Sequence, residues 1–235
     1  MTQQVLITGA SSGIGAATAI AFAQAGFNVV LLGRSPAKLA GVHAQVVAYG
    51  VQAHTFSVDF SDPEPLRSRL DEILSSVGDV HVLVNNAGMA RTAPLIDQPL
   101  ADWQQILNVN LTSALICSQA VLPQLRSRQC GTIVNVVSIA GRQVFPDWGA
   151  YCVSKFALMA LTKTMAAEER AHGIRVIAIC PGAVDTPIWE DVAGDFDRTG
   201  MLSPEHIANT ILYTTQLPQT AFVEELVVMP LGGTL

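Results

Sequence analysis

Seven short runs of apolar, mostly β-branched residues recur along the chain with helical stretches between them. This alternation constrains the fold more than any other feature. QVLIT (4–8), NVVLLG (28–33), AHTFSVD (53–59), VHVLVN (80–85), TIVNVVS (132–138), RVIAIC (175–180) and ELVVM (225–229) read as strands. They lack polar alternation, as strands covered on both faces do. Helical patterns occupy 13–26, 36–50 and 65–78, with longer ones at roughly 101–127 and 149–172 and a shorter one at 204–216. Repeated β–α units give an α/β architecture, a parallel sheet with helices on both faces. No linker or composition break divides the 235 residues, so 1–235 reads as a single domain. Ligands of such sheets bind beyond the carboxyl ends of the strands, near the switch in strand order.

The first such end carries TGASSGIG (8–15), which closes the first strand and opens the first helix with Gly9, Gly13 and Gly15. Glycine permits a tight turn and close approach of backbone to a pyrophosphate, and the helix N-terminus adds N–H donors and a favourable dipole. The usual dinucleotide fingerprint places a carboxylate about 20 residues later, where it accepts the adenosine ribose 2′-hydroxyl. Here the second strand ends in Gly33 and Arg34, and the first acid of the chain is Asp59. A carboxylate would repel a 2′-phosphate, whereas a guanidinium binds one with two parallel hydrogen bonds. Ser11 or Ser12 could add a hydroxyl. The turn is therefore read as built for NADP(H) rather than NAD. Ser35 before Pro36 suits a helix N-cap.

Composition narrows the classes further. Residues 1–58 carry Arg34 and Lys38 and no acid, which suits a polyanionic ligand, but the net charge of −6 and the lack of a basic block argue against nucleic acid. Half of the residues are hydrophobic and only 14% charged, more apolar surface than one core of this size needs, as buried subunit interfaces would require. No basic region precedes the first apolar run, and no uninterrupted apolar stretch is long enough to span a bilayer, so neither a signal peptide nor a membrane partner is expected. Cys117, Cys130, Cys152 and Cys180 have no metal or redox spacing and read as thiols of a reducing cytoplasm. No metal is expected, and the histidines are scattered.

YCVSK (151–155) puts Tyr151 and Lys155 four apart on one helix face. A nearby ammonium favours the phenolate and lowers the phenol's ordinary pKa of about 10. Tyr151 could then exchange a proton with a carbonyl or carbinol oxygen near neutral pH.

TGASSGIG, NNAG (85–88), NVNLTS (108–113), NVVSIAG (135–141), YCVSK and CPGAVDT (180–186) occur in this order. Together they resemble the short-chain dehydrogenase/reductase family, over residues 4 to 233. The resemblance implies a single-domain Rossmann fold whose seven-stranded parallel sheet has the order 3-2-1-4-5-6-7. It implies that Ser138 hydrogen-bonds the substrate oxygen and that Tyr151 is the general acid in reduction and base in oxidation. Lys155 would bind the nicotinamide ribose and depress the Tyr151 pKa, and Asn110 would hold a water in a relay with Lys155. Cofactor contacts would come from the glycine turn with Ile14, from Asp59 and Phe60 at the adenine edge, and from Asn86, Ala87 and Gly88 beside the adenosine. Pro181, Gly182, Val184 and Thr186 would serve the nicotinamide. A homodimer or homotetramer is implied, although Pro230-Leu231 stands before Gly232-Gly233 where many relatives carry an acid.

The segment at about 187–202 is expected to cover a small-molecule substrate. Trp189, Phe196 and Met201 within it, with Phe145 and Trp148 before Tyr151, offer apolar contacts. Glu190, Asp191, Asp195 and Asp197 outnumber Arg198 there, which disfavours anions. The leading expectation is an NADP(H)-dependent reductase of ketones, reversible on secondary alcohols. A 3-oxoacyl-[acyl-carrier-protein] reductase is the alternative, with Arg126 and Arg128 as a docking patch for the acidic carrier. A hydroxy-acid or sugar dehydrogenase would need a cation in the pocket, for which Arg142 is the candidate. A non-catalytic NADP sensor would be expected to lack Tyr151 or Lys155.

Overall fold

The computed structural model describes residues 2–192, 194 and 196–233. Its strands β1 (Gln4–Thr8), β2 (Asn28–Gly33), β3 (Ala53–Ser57), β4 (Val82–Asn85), β5 (Gly131–Val136), β6 (Ile174–Pro181) and β7 (Glu225–Val228) form one parallel sheet. The order is β3-β2-β1-β4-β5-β6-β7, as expected. The sequence reverses direction of growth between β1 and β4, and the crevice opens at their carboxyl ends.

Successive residues of a strand point to opposite faces, and the core divides accordingly. Val5, Ile7, Val29 and Leu31 face a layer with Phe22 of α1 (Gly13–Gln24), Leu39 and Val46 of α2 (Pro36–Val47), and Ile207 and Ile211 of α7 (Pro204–Thr215). Leu6, Val30, Leu32 and Ile133 face Leu70 and Ile73 of α3 (Leu66–Val77) and Val121 and Leu125 of the helix α5 (Ser113–Arg128). Met165 of α6 (Gly149–Glu169) joins this second layer. Covering both faces explains why the central strands read as continuous apolar runs. The edges depart from that expectation: His54, Thr55 and Ser57 of β3 are exposed, and only one side of that strand is paired.

The stretch expected as one helix over 101–127 is three elements: α4 (Leu100–Leu107), a π-helical turn (Asn108–Thr112) and α5. By length and composition alone, Leu100–Arg128 could cross a bilayer, although Asp102, Asn108 and Asn110 interrupt its apolar residues. Here it packs into the domain through Ile106, Ala114, Cys117, Val121 and Leu125. Ser35 caps α2 as expected, accepting the Lys38 N–H (3.4 Å). At α7, Ser203 and His206 form a reciprocal capping box, which gives one of the scattered histidines a structural role.

A buried polar brace ties β4 and its neighbour β5 to the helices behind them. Asn85 and Asn135 are register partners, and Asn85 Nδ2 donates to Asn135 Oδ1 (2.8 Å) and to Ser118 Oγ of α5 (3.1 Å). Asn135 Nδ2 donates to Thr162 Oγ1 of α6 (2.8 Å). Removing one member leaves buried donors unpaired, at about 1–3 kcal/mol. We expect Asn135→Ala to lose about 2 kcal/mol of unfolding free energy in urea titrations. A loss below about 0.5 kcal/mol would show that the brace is not structural.

Candidate active site

The crevice is a cavity of about 680 Å³ running from the end of β2 to the loop beyond β6. At its first end the β1–α1 turn uses left-handed backbone at Gly9 (φ +64) and Gly13 (φ +53). A Cβ on Gly9 would lie 2.9 Å from Ala87 Cα, so turn and β4 loop meet backbone to backbone. Gly15 corrects an expectation. It does not line the cavity; a Cβ there would sit 2.3 Å from the Gly9 carbonyl oxygen and 2.5 Å from Asn86 Nδ2, so its role is packing. Ser11, Ser12 and Ile14 do line it, and the Ser12 side chain makes no cap hydrogen bond.

Arg34 stands at the cavity's end with no side-chain hydrogen bond or ion pair among the described residues. Lys38, one turn into α2, lines the same end. Sequence reasoning noted Lys38 only as a charge; its place four residues after Arg34, across the N-terminus of α2, was the available signal. Asp59 and Phe60 also line the cavity, beyond the end of β3. Asp59 Oδ1 accepts from the Ser61 N–H (2.9 Å) and hydroxyl (2.8 Å). The main-chain bond holds its carboxyl below the usual range against desolvation, with smaller help from the hydroxyl and the nearby Arg34. Asn86, Ala87 and Gly88 form the wall. Asn86 Nδ2 donates to the Thr8 and Gly9 carbonyls (3.0 and 3.1 Å), and Thr8 Oγ1, which the sequence did not single out, accepts the Asn86 and Ala87 N–H groups.

At the other end Ser138, Tyr151 and Lys155 converge. Ser138 follows β5 with a backbone at φ +119, ψ 158, a region that only glycine occupies freely. Its hydroxyl lies near enough to the Tyr151 phenol to favour the phenolate, and it accepts the Ala140 N–H (3.1 Å). Tyr151 and Lys155 project from α6, and Lys155 Nζ, buried, donates to the Val136 carbonyl (3.0 Å) and lies 5.6 Å from the Tyr151 ring centroid. The expectation that Lys155 depresses the Tyr151 pKa is not met in this structure. Burial pushes the phenol up to about 12, countered by the Ser138 hydrogen bond, with no contribution from Lys155. Burial also pushes the Lys155 ammonium down to about 8. The same desolvation acts on both groups and favours their neutral forms.

Asn110 sits in the π-helical turn and is buried behind the cavity rather than lining it. Its amide is used for positioning: Oδ1 accepts the Met89 N–H (2.8 Å), and Nδ2 donates to the Met89 carbonyl (3.0 Å) and Ser154 Oγ (2.9 Å). Ser154 in turn donates to the Tyr151 carbonyl (2.7 Å). Ser154 went unnoticed within YCVSK, although its place between Tyr151 and Lys155 was visible. A Cβ on Gly88 would be 3.7 Å from both Asn110 Oδ1 and Lys155 Nζ, so the three residues adjoin.

Over Tyr151 lies a row of aromatic rings. Trp148 meets Tyr151 edge-on (5.5 Å between centroids) and Trp189 likewise (5.7 Å), and Trp189 contacts Phe196 (4.7 Å). These residues and Phe145 line the cavity. Met201 does not, which corrects its place in the expected substrate pocket. It falls at the base of the covering segment, where Leu202 pairs with Val184 and the Asp185 N–H donates to the Leu202 carbonyl (2.9 Å). Trp189 Nε1 donates to the Val184 carbonyl (2.8 Å), which ties the segment down. Pro181, Gly182, Val184, Thr186 and Glu190 line the cavity. Asp195 and the side chain of Asp191 lie outside the described residues. Among the described residues no group of acids, histidines and cysteines could hold a metal ion.

The Lys155 shift carries a prediction for stability. Its folded pKa, about 8, lies below the ordinary 10.5, so the cost of burying the cation is full below pH 8 and fades as pH rises toward 10.5. Wild type should therefore gain Tm relative to Lys155→Met between pH 8 and 10, with the other titrating groups common to both proteins. A difference in Tm that stays flat over this range would contradict the burial of a titrating Lys155.

A family profile described as short chain dehydrogenase matches residues 3–195. A 3-oxoacyl-[acyl-carrier-protein] reductase of Synechocystis sp. is 32% identical over 95% of this chain and 93% of its own length. The solved structure of an alcohol dehydrogenase from the archaeon Thermococcus sibiricus, complexed with 5-hydroxy-NADP, superposes with a TM-score of 0.90 at 29% identity, covering 98% of this chain and 97% of that one. A metagenomic short-chain oxidoreductase in complex with NADP superposes with a TM-score of 0.86 at 31% identity, over 97% and 96% of the two chains. With its sheet order, glycine turn and Ser–Tyr–Lys cluster, this chain belongs to the short-chain dehydrogenase family of oxidoreductases.

Proposed function

We propose that the protein is an NADP(H)-dependent carbonyl reductase that acts on ketones and, in reverse, on secondary alcohols. The observation that carries this reading is a single cavity with Arg34 and Lys38, whose side chains have no partner among the described residues, at one end and Ser138, Tyr151 and Lys155 at the other. The residues fit the cofactor. Gly9 and Gly13 leave a cradle that side chains would fill, the α1 N-terminus offers N–H donors, and Arg34 with Lys38 supplies the positive charge a 2′-phosphate needs. Thr186, Pro181 and Gly182 would hold the nicotinamide, and Lys155 the adjoining ribose. When bound, NADPH supplies the hydride.

The chain's own groups handle the substrate oxygen and its proton. The Ser138 hydroxyl and the Tyr151 phenol converge, so one carbonyl oxygen can accept from both. A phenol raised to about 12 is protonated at neutral pH, as an acid donating to the nascent alkoxide must be. The Ser138 hydroxyl, which favours the phenolate, would stabilise the negative charge left on Tyr151 Oη. In the oxidative direction the same oxygen takes the proton back. The aromatic row excludes water and favours apolar groups next to the carbonyl.

The charge around this end separates the alternatives. Arg142, the cation a hydroxy-acid or sugar substrate would require, is paired with Glu225 (2.9 Å) and does not line the cavity. Arg126 and Arg128, the docking patch for an acyl carrier, are engaged with Glu169 and with Asp79 and the Val80 carbonyl. The name of the Synechocystis relative keeps 3-oxoacyl-[acyl-carrier-protein] reduction as the second reading. Tyr151 and Lys155 are both present, which argues against a sensor without turnover. Association as a homodimer or homotetramer is part of the proposal, since Val153 and Phe156 expose apolar surface on α6. So is a cytoplasmic location, which suits four free thiols.

Initial rates with NADPH and NADH, over an aryl ketone, an acetoacetyl thioester and a 3-oxo acid, test the reading. Tyr151→Phe should lower kcat by about 10²–10⁴-fold. Arg34→Ala should raise KM for NADPH about 10–100-fold and leave that for NADH unchanged, as expected for loss of a charge-assisted hydrogen bond. Wild-type rates with NADH equal to those with NADPH would refute the cofactor assignment, and a preference for the thioester would favour the second reading.

A further inference from the structure

We propose that the aromatic row and Glu190 form a cation subsite, so that the preferred substrate is a ketone carrying a positively charged amine. Glu190 is then a residue that determines specificity. The inference rests on the reading of this cavity as the place where Tyr151 and its neighbours reduce a carbonyl.

The walls at this end share one electrostatic sign. Trp148, Tyr151, Trp189 and Phe196 line the cavity, and so does Glu190, next to Trp189 in the short turn Pro187–Asp191. Consecutive rings meet at 68°, 70° and 52°. Rings at such angles form corners rather than parallel stacks, and corners leave π-faces open to the cavity. An aromatic face is the negative part of the ring quadrupole and attracts a cation within about 6 Å of the centroid, Trp most strongly. The rings are also held in place. Trp189 is fixed by its bond to the Val184 carbonyl (2.8 Å). Phe196 folds onto Gly194, whose left-handed backbone (φ +130) leaves no room for a Cβ, which would lie 2.9 Å from Phe196 Cε2.

Charges around the rings leave Glu190 available. Among the described residues it is the only acid lining this end of the cavity, since Asp59 stands at the adenine end, and its carboxylate has no hydrogen bond or ion pair. The acids near it are engaged. Asp185 pairs with Arg198, whose Nη2 also donates to the Thr186 carbonyl (2.9 Å), and Asp197 accepts from the Thr199 N–H (2.9 Å) and hydroxyl (2.6 Å). Neither Arg198 nor Arg142 lines the cavity, and the Lys155 ammonium is committed to the Val136 carbonyl. Glu190 is exposed, so water screens it and alone it would attract weakly. The rings complete the subsite by covering one side of a cation while the carboxylate faces the other. An anionic substituent would be repelled by both, and a neutral one would gain only the apolar contact. The reaction keeps its balance: a hydride from NADPH adds to the carbonyl carbon and leaves NADP⁺, a proton from Tyr151 goes to the oxygen, and the ammonium is unchanged in the amino alcohol formed.

The test compares methyl ketones that differ only in the group at the far end of a three-methylene chain: trimethylammonium, its neutral isostere tert-butyl, and carboxylate. The quaternary ammonium keeps its charge at every pH. Wild type should show kcat/KM for the ammonium ketone about tenfold above that for the tert-butyl ketone, with the carboxylate last. Glu190→Gln should reduce the ammonium-to-tert-butyl ratio about 3–5-fold, and Trp189→Leu about 3–30-fold. Raising the ionic strength should shrink the ratio more in wild type than in Glu190→Gln. Glu190 is exposed, so its variant keeps the question answerable if Trp189→Leu does not fold. A ratio of one or less in wild type, or a ratio that neither variant changes, would overturn the subsite. If the neutral ketone were then still reduced with NADPH and lost in Tyr151→Phe, the carbonyl reductase reading would stand without it. If no ketone were reduced, that reading would fail, and binding of the three compounds to the NADP⁺ complex, read by tryptophan fluorescence, would still decide the subsite. Tighter binding of the ammonium ketone that weakens in Glu190→Gln would support it, and equal binding of all three would overturn it.

Discussion

The contact on which the crevice depends is between backbones, not side chains. The β1–α1 turn presses against the loop after β4 so closely that Gly9 and Gly15 leave no room for a Cβ, and Asn86 bonds both the Thr8 and Gly9 carbonyls across the gap. This fixes the phosphate end of the cavity relative to the 86–91 loop. That loop is then tied by Met89 to Asn110, by Asn110 to Ser154, and by Ser154 to the Tyr151 carbonyl. A continuous polar path therefore sets the distance between the glycine turn and the phenol. The packing of the sheet positions both ends only coarsely; these short bonds do the fine placement.

Desolvation sets the resting protonation of the site. Tyr151 and Lys155 are four residues apart on a helix, yet burial acts more strongly on each than the other's charge does. The site is therefore primed with its proton on oxygen. A carbonyl compound meets a donor, while an alcohol meets a base that must first lose a proton against its environment.

Much of this was legible in the sequence, for identifiable reasons. The limits of β1 and β2 are those read from the apolar runs, because both strands are buried on both faces and their ends are marked by Asn28, Thr8 and Gly33. The edge strand β3 was misread as covered because a run with Ala53 and Phe56 resembles a buried strand while only its neighbours decide its exposure. The glycine turn, Arg34, Ser138, Tyr151 and Lys155 all line the cavity, whereas Met201 and Gly15 do not. Spacing along the chain places a residue on an element but not on the near or far side of a loop. The Tyr151 shift was misjudged for a related reason. Charge proximity can be inferred from a four-residue separation, but burial is a property of the packed whole.

The π-helical turn at Asn108–Thr112 gives the run Leu100–Arg128 an unusual sensitivity to length. Before it, α4 buries Ile106; after it, α5 buries a stripe of Ala114, Cys117, Ser118, Val121 and Leu125. The wider turn accommodates one more residue than an α-helix would, which lets both faces look inward while Asn110 reaches Met89 and Ser154. Gaining or losing a single residue upstream of the turn would leave a helix of ordinary appearance, yet it would swing the amide by about 100° around the axis. A change of chain length within this run would thus misplace Asn110, whereas one in the loops on either side would leave it where it is.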